Sequence, residues 1–365
     1  MKQKITLILL LLPILIFAQE AWKDYFPKPA GEFNPKKYVC YKTSDVMEMD
    51  GKLDEKAWGN AEFTNYFVDI EGDLKPKPYY QTQVKMLWDD DYMYFACQME
   101  EPHIWAKLKE RDSVIFFDND FEIFIDPNGD THNYFEFEMN AFNTVWDLLL
   151  LKPYYRSKLN VAVDSWDIQG LKTGVDINGT LNDPSDTDKS WSLEVAIPWK
   201  VMEEAAGNKP KDGQQWRVNF SRVEWDTEVV DGDYVKLKNP EHNWVWSPQG
   251  IIAMHYPEMW GFVQFSENEV GTEKADFVWN QEEDVKWFLR QIYYAQQTFV
   301  LKQDRFATNL DELGLEPLLM KGASSPEFYS TPSLFEVVIN FEGNSYHIMQ
   351  DGLTWKEEGS NKIKD

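Results

Sequence analysis

The sequence predicts an all-β protein, an antiparallel β-sandwich with a jelly-roll-like rhythm, carrying a C-terminal helix and β-hairpin as an appendage. Two observations point there. From about Tyr38 to Phe265, short runs that alternate in polarity or are largely apolar follow one another with turn chemistry between them. Aromatic residues make up 15% of the chain, with 16 Trp, enough for a large aromatic core or for stacking surfaces.

The first residues read as an address rather than as fold. Met1-Lys2-Gln3-Lys4 precedes an apolar run from Ile5 to Phe17, and Phe17-Ala18-Gln19 closes it with a small residue. That pattern predicts a secretory signal peptide over residues 1–18, cut after Ala18, and hence a periplasmic or secreted protein. The apolar run is too short to span a bilayer, no cysteine near the cut offers a lipid anchor, and no later segment predicts a membrane span. Residues 19–37 are an irregular leader.

Strands are expected over Thr82 to Trp88, Tyr92 to Met99, Phe121 to Ile125, Tyr134 to Met139, Val145 to Leu151, Trp191 to Ile197, Trp216 to Val223 and Gly261 to Phe265. Trp88-Asp-Asp-Asp91, Asp126-Pro-Asn-Gly-Asp130, Asn178-Gly179 and Asn182-Asp-Pro184 supply the turns. One helix interrupts them, Pro198 to Ala206, with proline at its first turn and Gly207 as its stop. The sandwich is thus expected over 38–265 and a polar linker over 266–276. In the remainder, 277–365, an amphipathic helix from Glu282 to Val300 has Val285, Phe288, Leu289, Ile292, Ala295 and Phe299 on one stripe. Leu334 to Phe341, the turn Glu342-Gly-Asn344 and Ser345 to Gln350 then form a hairpin. This region is the candidate surface for a protein partner.

The formal net charge is -26, and it becomes -28 when Lys2 and Lys4 leave with the signal peptide. Such a charge excludes nucleic acid and anionic lipid as partners, since both are bound by neutralising phosphates, and favours neutral or cationic ones. Two cysteines, Cys40 and Cys97, lie in strand-like runs. A disulfide between them and a pair of buried free thiols are both open, whereas redox or metal chemistry lacks a Cys-x-x-Cys or Cys/His pair.

The chemistry concentrates in Phe116 to Asp130. Extended backbone sends Asp118, Asp120 and Glu122 to one side and Phe121, Ile123 and Ile125 to the other, so three acids converge on one small volume. A ligand is expected in that volume. Hydrolysis is disfavoured because acids two apart on one strand lie on the same side of a ligand rather than flanking a bond. Trp244 and Trp246 share one side of a strand, with Met254-His255-Tyr256-Pro257 after it, and Trp146 beside Asp147 is a similar candidate. Trp58, Trp88, Trp191 and Trp199 are expected in the core. Asp126, Asn128 and Asp130 present oxygens at alternating positions, as calcium loops do, without an EF-hand's closing Glu. Asp183 to Asp188 is a second such loop. Haem held by Met93 or Met99 with His255 is the alternative from another class, although no Cys-x-x-Cys-His is present.

Five motifs in order carry a resemblance: Asp50-Gly-Lys-Leu-Asp-Glu-Lys-Ala-Trp58, Val84 to Tyr94, Asp120-Phe-Glu-Ile-Phe-Ile-Asp126, Tyr134-Phe-Glu-Phe-Glu-Met-Asn140, and Trp191-Ser-Leu-Glu-Val-Ala-Ile-Pro-Trp199. Together, over about residues 38–265, they resemble family 9 carbohydrate-binding modules, β-sandwich domains attached to xylanases and other exported glycan-degrading systems. The resemblance implies a sugar end held between two tryptophans by a Glu, an Arg and amides, with structural calcium in loops. Glu122 is similar to the family's Glu, and Phe116 or Phe117 falls near its first tryptophan. Glu138 falls near its arginine, leaving Arg222 as a substitute. Tyr256 or Trp246 stands near its second tryptophan. The expected function is therefore non-catalytic binding of polysaccharide or oligosaccharide ends, such as xylan, in carbohydrate catabolism. The alternatives are a glycan-hydrolysing component, a haem-binding sandwich, or a scaffold that has lost its sugar site.

Overall fold

The computed structural model describes residues 26–154, 161–206 and 209–359, so the expected signal segment, leader residues 19–25 and the expected helix stop at Gly207 lie outside the described residues. The chain divides into two compact units, Pro29–Trp279 and a second made of Asn280–Asp365 with the residues up to Lys28.

In the larger unit the strands are β1 (Lys37–Lys42), β2 (Val68–Asp69), β3 (Thr82–Trp88), β4 (Tyr92–Glu100), β5 (Asp120–Asp126), β6 (Tyr134–Asn140), β7 (Val145–Leu150) and β8 (Ala162–Val163). They continue with β9 (Lys172–Asn178), β10 (Ser190–Pro198), β11 (Gln215–Glu224), β12 (Thr227–Val230), β13 (Asp233–Lys236), β14 (His242–Val245) and β15 (Gly261–Glu269). Two short helices accompany them, α1 (Lys56–Asn60) and α2 (Trp199–Ala206). The main path of paired strands runs β8-β7-β6-β5-β11-β15-β1-β3-β4-β10-β9, with β14 on β11 and β2 on β14.

The path is a sandwich because its two halves share one core. Phe121, Ile123 and Ile125 of β5, Phe135 and Phe137 of β6, and Val218 and Phe220 of β11 pack with Val84 and Met86 of β3, Phe95 and Cys97 of β4, and Leu193 and Val195 of β10. The period-two alternation of these strands thus aims inward from both sheets. Trp58, Trp88, Trp191 and Trp199 are buried. The pairing is antiparallel as expected except at β1, which lies parallel to both β15 and β3 and so joins the halves. Cys40 and Cys97 are both free and buried.

Strand β9 escaped the sequence pattern for a steric reason. Its Gly174 has no room for a side chain, since a Cβ there would stand 2.3 Å from the Met49 carbonyl, so a residue that weakens strand propensity is imposed by close packing. The acidic stretch expected as a linker is instead tied in: Ser266 to Glu269 completes β15, and Gln264 Nε2 donates to the Asp276 carbonyl at 2.9 Å.

The second unit holds α3 (Glu282–Gln303), α4 (Leu310–Leu313) and a four-stranded antiparallel sheet, β16 (Glu327–Ser330), β17 (Phe335–Phe341), β18 (Asn344–Met349) and β19 (Thr354–Glu357). The expected hairpin is its central pair. Helix α3 packs on β17 and β18, burying Val285, Phe288, Leu289 and Ile292 as the stripe predicts. Gln296, which interrupts the stripe, is also buried. Its amide pairs both ways with the Ala307 backbone, donating at 2.9 Å and accepting at 2.8 Å, which satisfies the polar group inside the core.

Candidate binding site

The alternation that buries Phe121, Ile123 and Ile125 turns Asp120, Glu122, Phe124 and Asp126 to the opposite face of β5. Register brings Glu122 opposite Glu138 on β6 and Ser221 on β11, and sets Glu138 opposite Trp146 on β7. One face of β7-β6-β5-β11 therefore carries a row of Trp146, Glu138, Glu122 and Ser221. Asp120 joins it, with carboxylate oxygens of Asp120, Glu122 and Glu138 lying within 4.8 Å of one another. Glu136, two residues from Glu138, faces the same way.

All four acids are buried, and burial dominates their chemistry. It pushes Glu122 up to about 7, opposed by the Ser221 hydroxyl and aided by Glu241, and raises Asp120, Glu136 and Glu138 well above the ordinary carboxylate range, reinforced by repulsion from the other acids of the row. Asp118, expected beside them, is drawn elsewhere. One oxygen accepts from the N–H groups of Lys107 and Leu108, both at 2.8 Å, and from Asn140 Nδ2 at 3.0 Å, so it fixes the approach to β5.

Phe116 and Phe117 lie in a 3-10 turn, with ring centroids 4.8 Å apart, and Phe117 is 53% exposed. The Phe116 N–H donates to Glu138 Oε2 at 3.1 Å, which ties this aromatic pair to the acid row. Two residues that the sequence reading passed over complete the edge. Trp225 Nε1 donates to the Phe116 carbonyl at 2.8 Å, and Lys236 Nζ donates to the Phe117 carbonyl at 2.6 Å while lying 3.8 Å from the Trp225 ring centroid. Trp146 is half-buried and faces Glu138's side of the sheet.

The remaining candidates do not join this face. Trp244 and Trp246 are buried on the core side, because on β14 it is Val245, paired with Ser221, that takes the acid face. Trp244 packs edge-on to Tyr79 at 4.8 Å, and Trp246 lies 5.7 Å from Phe220. Tyr256 is buried as well, at 1% exposure. Arg222 has the wrong parity: next to Ser221, it points to the other face and pairs with Glu101 at 2.9 Å and Glu224 at 2.8 Å. The reversal of charge at Glu138 is therefore not compensated by Arg222.

The Asp126–Asp130 loop is a hydrogen-bonded turn. Asp126 accepts from Gly129 N and Thr131 N, both at 2.9 Å, Asn128 Oδ1 accepts from Asp130 N at 3.2 Å, and Asp130 Oδ1 accepts from His132 N at 2.7 Å. These bonds hold Asp126, Asn128 and Asp130 in one turn, each oxygen named accepting a single amide hydrogen and keeping a second lone pair. Asp188 is likewise committed, to Ile104 N at 2.8 Å and Thr180 N at 2.6 Å. Met93 and Met99 belong to the core between the sheets, whereas His255 packs on Tyr154 and Phe124 and shares a 2.8 Å hydrogen bond with Tyr134. The proposed haem ligands thus do not face one another.

The sequence model of the carbohydrate family 9 binding domain-like family matches residues 49–267. The chain belongs to that family. Among solved structures, this family 9 chain is similar to a carbohydrate-binding module family 9 from Caldicellulosiruptor kristjanssonii in complex with cellotriose, at 15% identity over 66% of this chain and 99% of that one, with a TM-score of 0.42. The same description in complex with glucose gives 15% identity, 65% and 99% coverage and a TM-score of 0.41. A Bacteroides uniformis protein assigned to carbohydrate binding gives 19% identity, 64% and 100% coverage and a TM-score of 0.47. No curated protein matches the chain.

Proposed function

We propose that this family 9 protein is an exported, non-catalytic module that binds the ends of plant-type polysaccharides or oligosaccharides in support of carbohydrate catabolism. The observation that carries the reading is the pairing, on one face, of carboxylates at Glu122 and Glu138 with aromatic edges at Phe116, Phe117 and Trp146. A pyranose would lay its C–H face on a ring and donate hydroxyl hydrogen bonds to the carboxylates. Membership of the family and the cellotriose and glucose named for similar structures support a saccharide as the ligand. Export rests on the signal pattern at residues 1–18. Hydrolysis is disfavoured because the acids lie side by side on one sheet face, whereas a glycosidase needs its two carboxyls to flank the bond.

Calorimetric titration of the mature chain with xylan, cellulose and mannan oligosaccharides tests this. Saturable binding that Glu122→Gln or Trp146→Ala weakens is expected, with no reducing sugar released. Binding to none of them, in a folded protein, would end the saccharide reading and leave a scaffold on the same sandwich.

A further inference from the structure

The sheet that carries β1 splits along one seam. Strand β1 pairs with β15 from Lys37 to Lys42, but with β3 only at Tyr41 and Lys42. Where β1 and β3 part, residues 62–67 run beside β3 instead, the Thr64 N–H donating to the Val84 carbonyl at 2.8 Å and Thr64 Oγ1 accepting from Val84 N at 3.0 Å. The Tyr38 hydroxyl closes the seam from the core side, donating to the Glu62 carbonyl at 2.6 Å and accepting from Met86 N at 3.2 Å. Residues 274–277 form the facing wall, pinned where the Ala275 N–H donates to the Tyr41 hydroxyl at 2.9 Å. Between the walls lies a groove of about 570 Å³, the size of a small-ligand site.

Its recognition groups are uncommitted. Tyr66 is 50% exposed, and among the described residues its side chain has no ring or hydrogen-bond partner, nor has the Asn65 amide. Lys37 Nζ lies 4.7 Å from the Trp279 ring centroid and pairs with no carboxylate among the described residues. The four charged residues that line the groove balance, Lys37 and Lys274 against Glu62 and Asp276, in a chain whose net charge is -26. Lys274 and Glu62 reach from the two walls to 3.4 Å of one another, but with side chains 74% and 81% exposed that bridge opens at little cost. A locally neutral groove gives no advantage to an anion or a cation. It offers a ring for a C–H face, and donors and acceptors for hydroxyls, which is the chemistry that holds a neutral sugar.

Val39 and Tyr41 of the groove alternate with Tyr38 and Cys40, which belong to the core between the sheets, so the groove opens away from the core on its own sheet. The acid row of β5 and β6 opens away from the same core on the other sheet. We propose that the groove over β1 is a second saccharide site, so that one chain holds two saccharide strands on opposite faces of its larger unit and cross-links polysaccharide. The two sites share no residue, and only the class of ligand rests on the saccharide reading of the acid face.

Calorimetric titration of the full mature chain with xylohexaose, cellohexaose and mannohexaose counts the sites. Two molecules per chain are expected for the sugar that binds. Tyr66→Ala combined with Asn65→Ala, both on exposed side chains, should weaken the groove roughly tenfold or more and leave one sugar per chain, with circular dichroism unchanged. Glu122→Gln should remove the other. With soluble xylan, β-glucan or mannan to match, the wild type should produce turbidity by cross-linking, and either variant should bind without it. A count that the Tyr66→Ala and Asn65→Ala pair leaves unchanged overturns the groove and spares the acid-face reading. Binding that this pair abolishes and Glu122→Gln does not touch keeps the groove as the saccharide site, and overturns the acid-face reading together with the cross-linking. A folded chain that takes up no sugar overturns both.

Discussion

At the residue scale, tryptophan shows how little composition says about role. Trp146 and Trp246 are equally suited to stack on a sugar, but Trp246 is 0% exposed and Trp146 half-buried on the acid face. Trp246→Ala should therefore destabilise the larger unit by about 3–5 kcal/mol through the cavity it leaves, as denaturant titration would record. Trp146→Ala should unfold nothing and weaken saccharide binding in calorimetry. His255 makes a different prediction. Burial holds its imidazole down at about 3, below the usual value of about 6.5. The neutral ring is what the fold accommodates, so its stabilising contribution is fully present above about pH 6.5 and is lost as pH falls from there toward 3. Replacing it with Phe should cost about 1 kcal/mol at pH 7 through the lost Tyr134 bond and should flatten the acid limb of a stability–pH curve. An unchanged acid limb would place the acid sensitivity elsewhere.

At the scale of elements, the aromatic edge is assembled by pieces distant in sequence. The 3-10 turn at Ile115–Phe117 is held from one side by Glu138 of β6 and from the other by Trp225, which follows β11, and Lys236 of β13. Lys236→Met keeps the aliphatic stem over Trp225 but removes the donor to the Phe117 carbonyl. It is expected to lower saccharide affinity severalfold with a change in stability under about 1 kcal/mol, checked by calorimetry and thermal melting together. Trp246, just after β14, illustrates the opposite constraint. Gly261, the first residue of β15, must lack a side chain because a Cβ would stand 2.4 Å from the Trp246 ring, so Gly261→Ala should displace that ring and destabilise the core without touching the acid face.

Across the whole molecule, a net charge of -26 has no charge on a neutral saccharide to act on. A neutral saccharide meets hydrogen-bonding groups and rings, so its affinity should change little between about 50 mM and about 500 mM NaCl. A steep fall in saccharide affinity over that range would mean that charge, not hydrogen bonding and stacking, carries the binding. The charge also continues to argue against nucleic acid as a partner.

Much of this was legible in the sequence. Period-two alternation is a property of extended backbone itself, so the strands from Thr82 to Phe265, the inward set Phe121, Ile123 and Ile125, and the acid side of β5 followed from residue order alone. The stripe of α3 and the hairpin inside its unit followed in the same way. The same rule held the signal for Glu136 and Glu138, which alternate with core phenylalanines in Phe135-Glu-Phe-Glu138. Parity, however, is relative to a neighbour. Only the pairing of Ser221 with Val245 decided that Trp244, Trp246 and Arg222 point away from Glu122. Which acids acquire a cation and which remain unpaired was likewise a tertiary outcome, since Arg111 reaches Asp147 and Asp167 only because loops far apart in sequence meet. Local order sets which way a side chain leaves its strand, whereas strand pairing sets what it meets there.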